Sequence, residues 1–336
     1  MRSFSCDNCG QLLFFENSLC LRCKTPQTFV PSRLDIVALL GEPDTAGLRG
    51  CANSRLAECN WAVEDPEIGP LCRSCAMTQQ RPSDGDAEGL AAFAKAETAK
   101  RRLLFELYDL GLPVEDDLHF DLLSSRSGPI VTGHDDGLIT IDLAEGDDAQ
   151  REARRAELGE PYRTLLGHFR HEIGHYYFYR LVSPSQDYLA RFNQLFGDPD
   201  ADYQAALDRH YSEGAPRGWK KSFVSSYATM HPAEDWAETF AHYLHVRDTL
   251  DTASWTGFAP ASATFDRTPV GPSSFQTIID LWLPLCWSLN MLNRSMGHDD
   301  LYPFVLPAAV LEKMAFIHTV IEQLTSDSKG PAAISV

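Results

Sequence analysis

The sequence predicts an α+β protein with a cysteine-rich module at its N-terminus, and three observations predict it. Eight of the nine cysteines fall before residue 76, short apolar runs occupy residues 118–143, and helical periodicity dominates from about residue 147 onward. A chain of 336 residues, 44% hydrophobic and 10% aromatic, can bury a substantial core divided over roughly two or three units.

The cysteines come as Cys6-x2-Cys9, Cys20-x2-Cys23, Cys51-x7-Cys59 and Cys72-x2-Cys75. Eight thiolates are the number required by two tetrahedral four-cysteine zinc sites. The simplest pairing is sequential, with Cys6, Cys9, Cys20 and Cys23 on one ion and Cys51, Cys59, Cys72 and Cys75 on the other. Spacing leaves open a cross-braced pairing, and also iron in a rubredoxin-like site. Four thiolates leave no open coordination position, so these ions are expected to be structural.

The formal charge of −18 argues against nucleic acid and anionic membranes as partners. Residues 1–80 are roughly balanced in charge, and each zinc tetrathiolate would add about −2, which disfavours DNA reading there. MRSFSCDNCG has no apolar segment of the signal-peptide kind, and no run approaches the length of a membrane span. The expectation is a cytoplasmic protein, in which clustered cysteines bind metal.

A polar break at Pro82-Ser83-Asp84-Gly85-Asp86 should cap a helix that runs to about Leu110 and stops at Gly111 and Pro113. The runs Leu118–Leu123, Pro129–Thr132 and Leu138–Leu143, separated by turn residues, read as a small antiparallel sheet. Helices follow at about 147–157, 161–182, 200–211, 232–249, 273–295 and 307–325, with a loop over 252–273. The expected units are a ribbon region at 1–80, a main domain at 84–325 and a disordered tail at 326–336.

His171-Glu172-Ile173-Gly174-His175 lies inside one of these helices. Two imidazoles four apart point the same way and can grip one ion, while the carboxylate between them can reach a metal-activated water without being a ligand. A catalytic zinc usually takes three protein ligands, so a third is expected on a later helix. The stretch His231 to His245 is the candidate. At about 100° per residue, Glu234, Glu238, His242 and His245 share one face, opposite Trp236, Ala237, Phe240, Ala241, Tyr243 and Leu244. A polar face made only of carboxylates and imidazoles suits a site better than it suits solvent.

HEIGH followed by Tyr227, by Glu234 seven residues later, and by Ala237-Glu238-x-Phe240 resembles the gluzincin metallopeptidases of the anthrax lethal factor type. The resemblance implies a zincin-like fold. It also implies Glu234 as third zinc ligand, Glu238 as outer support for a ligand histidine, and Tyr227 as a donor at the transition state. Apart from the resemblance, His242 and His245 read as outer-shell groups or, alternatively, as satisfied core histidines. Glu238 stands where the thermolysin-like pattern has Asp, and either carboxylate can orient an imidazole. The whole chain is similar to a bacterial family of zinc-binding metallopeptidases with an N-terminal zinc ribbon. That similarity runs through Val224-Ser225-Ser226-Tyr227-Ala228, Glu234-Asp235-Trp236-Ala237-Glu238-Thr239, Asn293-Arg294-Ser295-Met296-Gly297 and Tyr302-Pro303-Phe304.

The implied activity is hydrolysis of a peptide or protein substrate, with one catalytic and two structural zinc ions and Glu172 as general base. Leu138–Leu143 is placed to be the edge strand that binds substrate by main-chain pairing. Two rivals share the sequence features: a non-catalytic adaptor whose ribbons bind a protein partner, and a peptidase restrained by its own ribbons. His168 lies one turn before His171 but is set aside as a ligand. Tyr176 to Tyr179 read as core, Cys286 as an inert thiol, and Asn290, Asn293 and Arg294 receive no role.

Overall fold

A computed structural model describes residues 1–41, 47–65, 67, 69–128, 130–146, 164–258 and 275–328. The protein is α+β, and its contacts divide it into two compact units. One comprises Met1–Asp109 and Pro113–Arg151; the other comprises Leu110–Leu112 and Glu152–Val336.

In the first unit, three two-stranded ribbons are formed by β1 (Phe4–Ser5) with β2 (Leu12–Leu13), β3 (Gln27–Val30) with β4 (Asp35–Ala38), and β5 (Arg49–Gly50) with β6 (Ala62–Val63). After the single turn α1 (Arg73–Ala76) and β7 (Thr78–Gln80) comes the long helix α2 (Ala87–Asp109). Asp86 accepts from the Gly89 amide at 2.8 Å at the start of α2, and Gly111 (φ 70°) follows its end. Phe105 of α2 packs edge-on against Phe4, Phe15 and Phe29, and Phe29 lies 5.0 Å from Trp61. This aromatic core fastens α2 to the ribbons.

The sheet of this unit has the order β7–β8–β10–β9, with β8 at His119–Leu123, β9 at Gly133–Asp135 and β10 at Leu138–Asp142. It is mixed, not antiparallel: β8 runs parallel to both β7 and β10, and only β9 is antiparallel. The second expected strand is found at Gly133–Asp135, and residues 130–132 lie outside it. Leu138–Leu143 is also not the expected edge. Leu138, Ile139 and Thr140 pair with β8 on one side and β9 on the other. Nothing local marks β7 as a sheet partner, since its pairing depends on where the cysteine module brings the chain.

The second unit is helical: α3 (Leu165–Tyr177), a π-turn (Phe178–Val182), α4 (Gln186–Leu195), α5 (Tyr203–Glu213), α6 (Pro232–Thr256), α7 (Phe275–Ser295) and α8 (Ala308–Ser328). The helix α4 was not expected, and residues 252–256, expected as loop, continue α6. The expected helix at 147–157, residues 259–273 of the expected loop and residues 329–336 of the expected tail lie outside the described residues, whereas residues 326–328, expected as tail, continue α8. Among the described residues, no helix is long and apolar enough to cross a membrane.

Helices α3 and α6 pack back to back at Gly174. A Cβ there would stand 3.1 Å from the Cα of Ala237 and 3.2 Å from the Cβ of Phe240. The Trp236 indole donates to the Gly174 carbonyl at 2.8 Å. Phe178, Phe192, Phe196 and Phe316 then surround Trp236. Farther along α6, Val246 and Leu250 join Ile278, Trp282 and Leu285 of α7, and Tyr302.

Inside a helix Gly→Ala ordinarily gains about 1 kcal/mol. For Gly174→Ala the expected result is a loss of about 1–3 kcal/mol, because helix backbone cannot yield to the added methyl. A denaturant midpoint at or above that of the parent protein would refute the close crossing.

Candidate metal centre

The crossing of α3 and α6 brings four polar side chains together. Thr164 caps α3, accepting from the Gly167 amide at 2.9 Å, and His171 and His175 follow on its inner face. His231 caps α6, so Glu234 falls in the first turn, where the helix dipole favours its negative charge. The Nε2 atoms of His171 and His175 are 3.2 Å apart. His171 Nε2 lies 3.0 Å from Glu234 Oε2, and His175 Nε2 lies 3.5 Å from Glu234 Oε1. Ligands held tetrahedrally at about 2.0–2.1 Å from zinc stand about 3.3 Å from one another, so this triangle has the right size.

The donor chemistry fits a cation as well. Glu238 Oε1 meets His171 Nδ1 at 2.8 Å, which directs the opposite nitrogen at the centre. Ser225 Oγ donates to Glu238 Oε2 at 2.5 Å and accepts from the Ala228 amide at 3.1 Å. Glu234 Oε2 is buried and has no hydrogen-bond partner among the described residues. Burial disfavours the charged imidazolium of His171, but the carboxylates of Glu234 and Glu238 outweigh it and raise its pKa well above the ordinary value. Conversely, burial raises the Glu234 pKa, and the adjacent His175 and His171 more than reverse that effect.

Glu172 is buried beside this triangle without belonging to it. Burial favours its neutral form, yet a 3.0 Å hydrogen bond with His168 Nε2 and the nearby imidazoles hold its pKa below the usual range. Its Oε2 is buried without a hydrogen-bond partner among the described residues. Tyr227 sits in a short 3-10 turn whose amide is held by Ser225, and its ring is 6.1 Å from that of His171. Burial and the Glu234 carboxylate push its phenol pKa far up, so it remains an O–H donor.

The stripe expected on α6 divides along its length. Glu234 and Glu238 reach α3, whereas His242 Nδ1 hydrogen-bonds the Tyr302 hydroxyl at 2.9 Å and His245 stacks on the Tyr302 ring. Tyr176, Tyr177 and Phe178 are buried, while Tyr179 is exposed. Asn290 holds the backbone of Tyr302, and Arg294 forms a two-toothed pair with Asp300, so both brace the segment after α7. Three polar contacts at the centre had not been read from the sequence: His168 on Glu172, Ser225 on Glu238, and Tyr203, whose hydroxyl donates to Glu234 Oε1 at 3.0 Å. Only His168 left a signal, since it precedes Glu172 by one helical turn.

In the first unit the eight thiols gather as two sequential quartets, Cys6, Cys9, Cys20 and Cys23, then Cys51, Cys59, Cys72 and Cys75. Sulfur pairs stand 3.6, 3.6 and 3.5 Å apart, near the 3.8 Å or so expected around zinc. Backbone amides of Cys72 and Cys75 point at Cys51 and Cys72 sulfurs. Arg101 of α2 holds the carbonyls of Ala57 and Glu58 beside the second quartet and favours the charged form of Cys59.

A chain with two cysteine quartets and a separate His/His/Glu centre joins a zinc ribbon to a zinc-binding hydrolase scaffold, and comparison with known families agrees. Residues 3–86 match a zinc-ribbon domain, and residues 89–320 match the family described as "Putative zinc-binding metallo-peptidase". The chain belongs to this family. It is 64% identical over 334 residues to uncharacterized proteins of Mycobacterium bovis and of two strains of Mycobacterium tuberculosis, with 97% of each chain covered. No solved structure matches it.

Burial lowers the His242 pKa to about 4, with Glu238 opposing and Arg170 adding to the effect. The unfolded chain, at about 6.5, therefore takes up the proton first as pH falls, and stability drops between about pH 6.5 and pH 4. Replacing the imidazole in His242→Gln should make the decline in unfolding free energy from pH 7 to pH 5 shallower by on the order of 1–2 kcal/mol. Parallel pH profiles for the two proteins would refute this.

Proposed function

We propose that the protein is a gluzincin-type zinc peptidase that hydrolyses peptide bonds in peptide or protein substrates. The observation that carries this reading is Glu172: a buried, ionised carboxylate beside the His171/His175/Glu234 triangle, with one oxygen unpartnered. A zinc that only braced the fold would need neither this group nor an open coordination position.

In this reading His171, His175 and Glu234 hold one zinc, and each cysteine quartet holds one more, giving one catalytic and two structural ions. The catalytic ion supplies Lewis-acid polarisation of water and of the scissile carbonyl. Glu172 takes the proton of the attacking water and returns it to the leaving amine. Glu238, held by Ser225, keeps His171 in the orientation that aims Nε2 at the centre. Tyr227 remains protonated and can donate to the developing oxyanion. The setting we infer is the cytoplasm, where nine free cysteines stay reduced and eight of them are available to metal.

Purified full-length protein should bring three zinc ions and cleave members of a broad peptide library. Glu172→Gln should keep all three ions and lose cleavage; retained turnover would remove Glu172 as the base. Glu234→Ala should lose one ion of the three, and metal analysis still finding three would point to another ligand. Tyr227→Phe should lower kcat by about 10²–10³, the usual effect of removing one oxyanion donor. An unchanged kcat would exclude that role.

A further inference from the structure

The two oxygens of Glu234 have different surroundings. Oε1 accepts from the Tyr203 hydroxyl at 3.0 Å and lies 3.5 Å from His175 Nε2, whereas Oε2 is buried, has no hydrogen-bond partner among the described residues, and lies closer, at 3.0 Å, to His171 Nε2. Tyr203 belongs to neither α3 nor α6. It is the first residue of α5, and its placement is constructed. Asp202 caps α5, accepting from the Ala205 amide at 3.0 Å. Just before it, the Ala201 carbonyl accepts from His231 Nε2 at 3.0 Å, while His231 Nδ1 accepts from the Ala233 amide at 3.1 Å. One imidazole thus fastens the start of α5 to the start of α6, and the Tyr203 ring packs on it at 5.2 Å. Tyr203 gives its only proton to Glu234.

We propose that Tyr203 is a positioning residue that occupies Oε1 of Glu234, so that Glu234 offers a metal only Oε2. A carboxylate with both oxygens free can grip an ion with two atoms and fill the position that a water needs. A phenol on one oxygen prevents that and fixes the carboxylate's rotation. Partners of this kind usually affect metal affinity by 10–100-fold when removed. The proposal rests on the zinc reading of the centre, and the test separates the two.

The centre of the full-length protein has three protein ligands and each cage has four, so a mild chelator should empty the centre first. The emptied centre is then titrated with Zn2+ against a chromophoric competitor, and separately reloaded with Co2+ for its visible difference spectrum. Tyr203→Phe should bind Zn2+ about 10-fold more weakly. Its Co2+ bands should be weaker than the parent's, as five-coordinate Co2+ absorbs less than four-coordinate. Tyr227→Phe leaves the Tyr203 bond to Glu234 in place, so its affinity and spectrum should match those of the parent. Equal thermal midpoints of the chelated proteins show that the half-exposed Tyr203 is not needed for folding. Identical affinity and spectrum for Tyr203→Phe and the parent would overturn the assignment, as would an equal change in Tyr227→Phe. A parent protein that takes up neither ion at the emptied centre would overturn the zinc reading itself.

Discussion

The close approach of α3 and α6 at Gly174 is the constraint on which the metal centre depends. Because Gly174 brings no side chain, the backbone of Ala237 can lie against it, and Trp236 locks the contact through its indole bond to the Gly174 carbonyl. Glu234 lies three residues before Ala237 and Glu238 directly after it on α6, just as His171 lies three residues before Gly174 and His175 directly after it on α3. The centre therefore forms where two helices are too close to admit larger groups. The π-turn that follows Tyr177 releases the chain from the crossing, as such distortions often do beside functional sites.

Burying this much charge requires compensation. Glu172, Glu234 and Glu238 are all held as carboxylates in a largely desolvated place, with His168, His171 and His175 as their neighbours. A buried charge without a partner costs several kcal/mol, so the arrangement is stable only if every carboxylate has a donor or a cation. Ser225 and Tyr203 provide neutral donors to the outer oxygens of Glu238 and Glu234. Glu172 Oε2 has no hydrogen-bond partner among the described residues, and Glu234 Oε2 faces His171 Nε2 at 3.0 Å. At the entrance to α6, Asp235 is paired with the buried Lys313 of α8 at 2.5 Å, and Lys313 also holds the Ser222 carbonyl. That pair fixes the loop which carries Ser225 and Tyr227.

Much of the centre was legible because helical periodicity converts spacing into direction. HEIGH, Glu234 and Glu238 needed only two helices and the rule of about 100° per residue. The cysteine knuckles were legible for a similar reason, since two residues between thiols leave few ways to grip one ion. Tyr203 was not legible, because it reaches Glu234 only through the path of the chain between α5 and α6. Ser225 stood in a quoted motif without a role, since a serine in a loop carries no direction until the loop is built. The mixed sheet escaped for the reason β7 did. Parallel pairing joins strands distant in sequence, and alternation within one strand says nothing about its neighbour's direction.

The polar stripe of α6 shows why one face of a helix can carry two functions. Over Glu234 and Glu238 the helix lies against α3, and polar atoms there are turned toward a shared ion site. One and two turns later the neighbours change. His242 and His245 meet the segment containing Tyr302 and Phe304, braced from behind by Asn290. Burial makes the neutral imidazole favourable at both positions, and both pack on Tyr302. His242 is thus held by Tyr302 and packed against Phe304. A stripe of like residues read from sequence marks a buried polar seam, and the neighbour across each turn decides which part of that seam does chemistry.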